Sequence, residues 1–169
     1  VLINVDDADV DDDTGNEDED KGADVDTDVG DDKDEINYGL DTSLVDAEST
    51  VNQKQLVFLH GTTWATKHWP ESYWRHLAHI ATENGFSVLL PWGNEIERQR
   101  AERVAAGNDQ ITVLERMPLK GVARMIYRSA GVIAVDTGLG HLAAALSKPT
   151  LSLYGPTNPG LSGTFGHQQ

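Results

Sequence analysis

Six consecutive residues, Asp136-Thr137-Gly138-Leu139-Gly140-His141, combine a carboxylate, a hydroxyl, two glycines and an imidazole where an apolar strand-like run passes into a helical pattern. A helix starting there presents free N–H groups and the positive end of its dipole, a setting that favours an anion. The glycines let a phosphate approach the backbone closely. Upstream, Thr62 and Thr63 offer hydroxyl donors and Lys67 a compact positive charge. A third loop, Pro91-Trp92-Gly93, leads to Glu97. This set suits a diphosphate held without a metal. Blander readings stand beside it. Asp136 reads either as the cap of the following helix or as a ligand group. His141 reads as a structural histidine or a phosphate contact, and Thr62 and Thr63 alone would be ordinary loop threonines. Trp69, Trp74 and Trp92 read as packing rather than stacking. His76 and His79 lie three apart on a predicted helix with no third ligand, so they do not read as a metal site. There is no Gly-x-x-x-x-Gly-Lys-Ser/Thr loop, which excludes a P-loop ATPase, and no Gly-x-Gly-x-x-Gly after the first strand, which weighs against a dehydrogenase.

The elements that must position these residues alternate along the chain. Leu56-Val57-Phe58-Leu59 predicts a short buried strand that ends in a loop at His60-Gly61-Thr62-Thr63. Pro70 suits a first helical position, and Trp74, Leu77, Ala78 and Ala81 follow on one helix face before Asn84-Gly85. A strand over 86–90, a weakly amphipathic helix over 95–106 and a strand over 111–114 come next. Leu119, Val122, Ala123, Ile126, Tyr127 and Ala130 form an apolar helical stripe. Strands over 132–135 and 150–153 flank a short helix over 138–146. Strands without polar alternation, separated by helices, predict a doubly wound α/β domain with a parallel sheet. Ligands of such sheets sit at the carboxyl ends of the strands, and the loops named above fall there.

The rest of the chain is of a different kind. Of 169 residues, the first fifty hold twenty Asp and Glu against Lys21 and Lys33. They lack Trp, Phe, Pro and His, and cannot bury enough apolar surface to offset the entropy of ordering them. The formal net charge of −15 therefore belongs to this segment, since residues 51–169 sum to +3. The expected organisation is an acidic, disordered segment over 1–50, a linker over 51–54 and a domain over 55–169. Within the acidic segment, Asp9, Asp11 and Asp13 with Gly15 recur as Asp24, Asp26 and Asp28 with Gly30, and Glu35 falls at position 12 counted from Asp24. An EF-hand loop needs Gly at position 6, and here it falls at 7 without flanking apolar helices, so a solvated acid run is favoured over calcium binding. No run of about 18 apolar residues predicts a membrane span, and no secretory signal is readable. The absence of Cys removes disulfides and thiolate chemistry. The chain begins at Val1, which suggests a piece of a longer protein.

His60-Gly61-Thr62-Thr63 with Lys67-His68-Trp69-Pro70, Leu90-Pro91-Trp92-Gly93, Val135-Asp136-Thr137-Gly138-Leu139-Gly140-His141-Leu142 and Tyr154-Gly155-Pro156-Thr157 together resemble the lipopolysaccharide heptosyltransferases of glycosyltransferase family 9, type I rather than type II. The resemblance runs from about Gln55 to Gln169. It implies the C-terminal, Rossmann-like half of a two-domain GT-B enzyme of Gram-negative lipopolysaccharide core synthesis. That half would bind ADP-L-glycero-D-manno-heptose for inverting transfer to Kdo-lipid A. By the same resemblance Thr62, Thr63 and Lys67 hold the diphosphate, Glu97 takes sugar or ribose hydroxyls, and Met117 lies against the adenine. Asp136 meets heptose hydroxyls, while Thr137, Gly138 and His141 meet the phosphates. Lys67 would stabilise the leaving group. Nothing in the pattern itself selects Met117 over a core methionine.

The resemblance further implies no cofactor, no metal and no nucleic-acid partner, and a cytoplasmic enzyme peripheral to the inner membrane. The +3 charge suits an anionic sugar nucleotide and an anionic lipid acceptor. Gly61 stands where the family often has Ala. An acidic segment occupies the place of the acceptor domain, which would supply the general base. The chain stops short of the family's closing helices, so the expectation is that it binds without turning over. The alternative reading is a non-catalytic nucleotide-sugar-binding domain with an acidic, calcium-responsive interaction tail.

Overall fold

The computed structural model describes Ile3–Asn4, residues 51–158 and residues 160, 163 and 164. The expectations of disorder and of calcium binding in the acidic segment thus lie outside the described residues. The strands are β1 (Ile3–Asn4), β2 (Asn52–Leu59), β3 (Ser87–Leu90), β4 (Ile111–Val113), β5 (Ser129–Val135) and β6 (Thr150–Tyr154). The helices are α1 (Glu71–Glu83), α2 (Glu95–Ala105), α3 (Leu119–Arg128) and α4 (Gly138–Ala145), with a 3-10 turn at Ala65–Lys67. Among the described residues all pairings are parallel, and the strand order is β1-β6-β5-β2-β3-β4.

Successive side chains of the central strands point to opposite faces, as the two-residue period requires. Phe58, Val88, Leu90, Ile133 and Val135 pack with Trp74, Ala78 and Ala81 of α1 and Ala101 and Val104 of α2. Val57, Leu59, Leu89, Val132 and Ala134 pack on the other face with Val122 and Ile126 of α3 and Ala143 of α4. Both faces of the sheet are covered, which is why its strands read as unbroken apolar runs. The chain winds outward from β2 through β3 and β4, then returns to β5 and continues to β6 on the other side. The winding reverses between β2 and β5, and a crevice forms outside the carboxyl ends of these two strands. Leu59 pairs with Ala134, so β2 and β5 end at nearly the same height and their loops open side by side.

Some boundaries differ from the sequence expectation. β2 begins at Asn52, so residues 52–54, expected as linker, are strand. They are exposed polar residues at the sheet's end, where pairing runs through Asn52 and Ser129, and burial gives them no apolar signal. Ala130, counted in the helical stripe, belongs to β5, because α3 ends at Arg128. Pro70 caps α1 rather than opening it. Helix α2 closes at Ala106 and Gly107, both with positive φ, 46° and 78°. The pairing of Ile3–Asn4 with Leu153 and Tyr154 was not expected in an acidic run. No helix among the described residues is long and apolar enough to cross a membrane.

Candidate donor-binding cleft

The crevice at the winding reversal is a cleft of about 570 Å³. Thr62, Thr63, Lys67, Glu97, Met117, Asp136, Thr137, Gly138 and His141 all line it. They come from four strand-to-helix connections and the helix starts that follow, brought together because each follows the carboxyl end of a parallel strand.

Two residues at its centre define the electrostatics. Lys67 Nζ lies 2.6 Å from Asp136 Oδ2, an ion pair off the hydrogen-bonding direction. The Asp136 side chain is 7 % exposed and that of Lys67 25 %. A carboxylate so deeply placed requires a compensating charge, and Lys67 supplies it across 69 residues of sequence. Of the two readings of Asp136, the helix cap fails: Thr137 occupies the cap position of α4 without a side-chain cap bond, and the Asp136 carboxylate pairs with Lys67. Thr62 Oγ1 donates to the Asp136 carbonyl at 3.4 Å, joining the two loops a second time.

Helix α4 opens into the cleft. Gly140 N–H is taken by the Thr137 carbonyl at 3.0 Å, so the amides of Gly138 and Leu139 are left for a ligand. A Cβ added at Gly138 would meet nothing within 4 Å, whereas one at Gly140 would come 3.3 Å from Ala134 Cβ. Gly140 therefore serves the packing of α4 on the sheet, and Gly138 leaves open space in the cleft. Glu97 is held from two sides. Gly93 N–H donates to its Oε2 at 2.7 Å, and a Cβ at Gly61 would lie 2.8 Å from its carboxylate. Gly61 thus makes room for the Glu97 head, and an Ala there would displace it. Met117 sits half-buried between β4 and α3, against the α3/α4 core and the cleft at once. His141 is half-buried on the cleft wall.

Trp74 is fully buried, edge-on to Trp69 at 5.2 Å and tilted on Phe58 at 5.3 Å, which is packing as expected. Trp92 does more than pack: it lines the cleft, donates its N–H to the Leu114 carbonyl and carries the Arg98 guanidinium 5.8 Å above its ring. Trp64 and Leu119 line the mouth and are each 65 % exposed. Among the described residues no group of three His, Cys, Asp or Glu is placed to hold a metal.

Sequence reasoning passed over three residues beneath the loop of Thr62 and Thr63. His60, read as loop, is buried against Trp74, with no hydrogen bond closing on either ring nitrogen. Burial, reinforced by the Arg100 charge, pulls its pKa down to about 4, and Glu97 and the nearby Pro91 carbonyl do not offset this. His68, also lowered by burial and by Arg100, lies 2.7 Å from Arg100 Nη1 through Nδ1. The one available signal was Arg100 itself, three residues beyond Glu97 and so on the same face of α2.

The glycosyltransferase family 9 (heptosyltransferase) model matches residues 19–169. The chain is 57% identical over 123 residues to lipopolysaccharide heptosyltransferase 1 of Pseudomonas aeruginosa, covering 73% of this chain and 35% of that protein. Identity is 49% over 113 residues to heptosyltransferase 1 of Escherichia coli K12, but 30% over 115 residues to heptosyltransferase 2 of the same strain. Among solved structures, the E. coli heptosyltransferase WaaC with ADP matches at a TM-score of 0.65 and 48% identity, over 67% of this chain and 35% of that one. The chain spans about a third of the length of the curated relatives it matches. The chain belongs to glycosyltransferase family 9, the heptosyltransferases.

Proposed function

We propose that the cleft binds the ADP-heptose donor of lipopolysaccharide core synthesis, and that the whole protein transfers its heptose to Kdo-lipid A. The observation that carries this reading is the Lys67–Asp136 pair, set at the cleft centre between two threonine hydroxyls and the open end of α4. The cleft volume is that of a small-molecule site. Relatives solved with ADP and with ADP-2-deoxy-2-fluoro heptose support the choice of ligand.

In this reading Lys67, Thr62, Thr63 and the Gly138 and Leu139 amides take the diphosphate, with Thr137 and His141 beside it. Met117 lies on the adenine side, Glu97 takes sugar or ribose hydroxyls, and Asp136 meets heptose hydroxyls. An acceptor oxygen attacks the anomeric carbon, the bond to the diphosphate breaks, and the electron pair leaves on ADP. Negative charge grows on the diphosphate as that bond breaks. Donors already fixed there stabilise the transition state more than the ground state. The two carboxylates of the cleft are engaged, Asp136 by Lys67 and Glu97 by Gly93 N–H. By family resemblance, the base that deprotonates the acceptor comes from elsewhere in the whole protein. Family resemblance alone supports placing that protein at the cytoplasmic face of the inner membrane.

The test is calorimetric titration of ADP and of adenosine against this chain. ADP should bind, ADP-heptose should displace it, and adenosine should bind more weakly, because the diphosphate supplies most of the contacts. Equal affinity for adenosine would remove the diphosphate site. Charge neutralisation by Lys67 and α4 needs no metal, so the affinity for ADP should be the same in EDTA as in millimolar magnesium. A loss of binding in EDTA would contradict that part. Gly138→Ala should leave the melting temperature unchanged or slightly raised, since the new Cβ meets no protein atom and Ala favours helix. The same variant should weaken ADP binding, because the added methyl occupies the space that a phosphate would take. Wild-type affinity in Gly138→Ala would show that the phosphate does not approach there.

A further inference from the structure

The loop over 61–67 carries Thr62, Thr63 and Lys67, yet it has little internal structure. Lys67 N–H bonds the Trp64 carbonyl and His68 N–H the Ala65 carbonyl, which closes only the 3-10 turn. On its β5 side the loop is tied by Thr62 and Lys67, both to Asp136. On the opposite side the contact is made by Arg100 of α2. Its Nη1 donates to the His60 carbonyl at 3.3 Å and lies 2.7 Å from His68 Nδ1. His60 precedes the loop and His68 follows it, so one guanidinium spans both ends.

The remaining neighbours keep that guanidinium in place. Glu71, at the start of α1, accepts from Arg103 Nε at 2.8 Å and Nη2 at 2.6 Å, and its Oε1 lies 3.7 Å from Arg100 Nε. Arg103 locks α1 to α2 without touching the loop. Arg100, with a side chain 14 % exposed, turns inward from the same helix. Both contacts are made by Nη1, whose two N–H bonds diverge at a fixed angle in the plane of the guanidinium.

We propose that Arg100 is a positioning residue for the donor site, a clasp that holds the two ends of the diphosphate loop at the separation its donors require. The proposal rests on the donor-site reading above. A preset loop binds its anion without first being ordered, and loosening the clasp moves that ordering cost into the binding step. The hydrogen bonds of Arg100 go to the two residues that flank the loop that would meet the phosphates, so the effect should fall on the diphosphate and not on the nucleoside.

The test compares ADP and adenosine binding to the wild-type chain, Arg100→Gln and Arg103→Gln. Arg100→Gln should bind ADP about tenfold more weakly, the equivalent of one lost charge-assisted hydrogen bond, with adenosine affinity unchanged. Arg103→Gln, which opens the neighbouring bridge only, should bind both as wild type does. A merely structural Arg100 would lower both affinities together, or would be matched by Arg103→Gln, and either result overturns the clasp. So does an unchanged ADP affinity in Arg100→Gln. If that variant fails to fold, His68→Ala removes the loop side of the clasp and should show the same selective loss; no loss there overturns the proposal. A wild-type chain that binds neither ligand removes the donor-site reading, and the clasp with it.

Discussion

Lys67→Ala should weaken ADP binding by about ten- to a hundredfold, the range for one or two charge-assisted contacts. The change does two things at once. It removes the positive charge that faces the diphosphate, and it strips Asp136 of the partner 2.6 Å away. A carboxylate with a side chain 7 % exposed is then left beside an incoming anion. Asp136→Asn should behave in the opposite way, since it frees Lys67 from competition: ADP affinity should hold or rise. Asn retains the shape of the site but not the charge that heptose hydroxyls would donate to, so ADP-heptose should gain nothing from the change. The double variant should bind ADP better than Lys67→Ala alone, by more than Asp136→Asn gains in the wild-type chain, because there the carboxylate is already paired. This non-additivity is the signature of a coupled pair, and a double-mutant cycle measures it. Additive effects would mean that the two side chains act independently, against the geometry. In the rebuilt whole enzyme, Lys67→Ala should abolish transfer, because the charge on the leaving group is then unmatched as it grows.

Acidification should loosen the same region through His60. In the folded chain burial holds this imidazole at a pKa of about 4, against 6.5 for a free histidine. Between those values the unfolded chain binds a proton that the folded chain refuses. Stability contributed by neutral His60 is therefore complete above about pH 6.5 and lost as the pH falls towards 4. The difference corresponds to about 3 kcal/mol over the window. His68, lowered from the same ordinary value, adds in the same direction. Urea unfolding at a series of pH values should show this slope, and His60→Leu should flatten it whatever packing it costs. An unchanged slope in that variant would show that the acid sensitivity lies elsewhere. Since His60 joins β2 to the loop of Thr62 and Thr63, donor affinity should decline in the same window as the fold.

Much of the fold was legible because the parallel sheet is covered on both faces. Val57, Phe58 and Leu59 could be read as a buried strand without knowing which face each one met. The alternation of runs and helices then gave the doubly wound order, and the strand-end rule selected the loops of Thr62, Trp92 and Asp136. Asn52–Lys54 were missed because an exposed strand start leaves no apolar mark. The Lys67–Asp136 pair was not legible: each residue drew notice alone, and only the strand pairing of Leu59 with Ala134 brings their loops together. Met117 entered through family resemblance, since a methionine that faces core and cleft at once has the pattern of a core residue. His60 was read as loop because a histidine beside Gly and Thr carries no sign that it is buried behind Trp74. Arg100 was hidden for a related reason. Its partners His60 and His68 lie 40 and 32 residues away, and an arginine on a weakly amphipathic helix reads as solvated.

The position of bound ADP on the chain decides most directly between the cleft and any other site. Backbone amide shifts recorded on the 18.4 kDa chain as ADP is added would locate it residue by residue. Thr62, Thr63, Lys67, Gly138, Leu139 and His141 should move, with Met117 on the nucleoside side, while His76, His79 and Asn108 around the outer groove between α1 and α2 should stay fixed. Shifts confined to that outer groove, or no shifts at all on saturation with ADP, would contradict it.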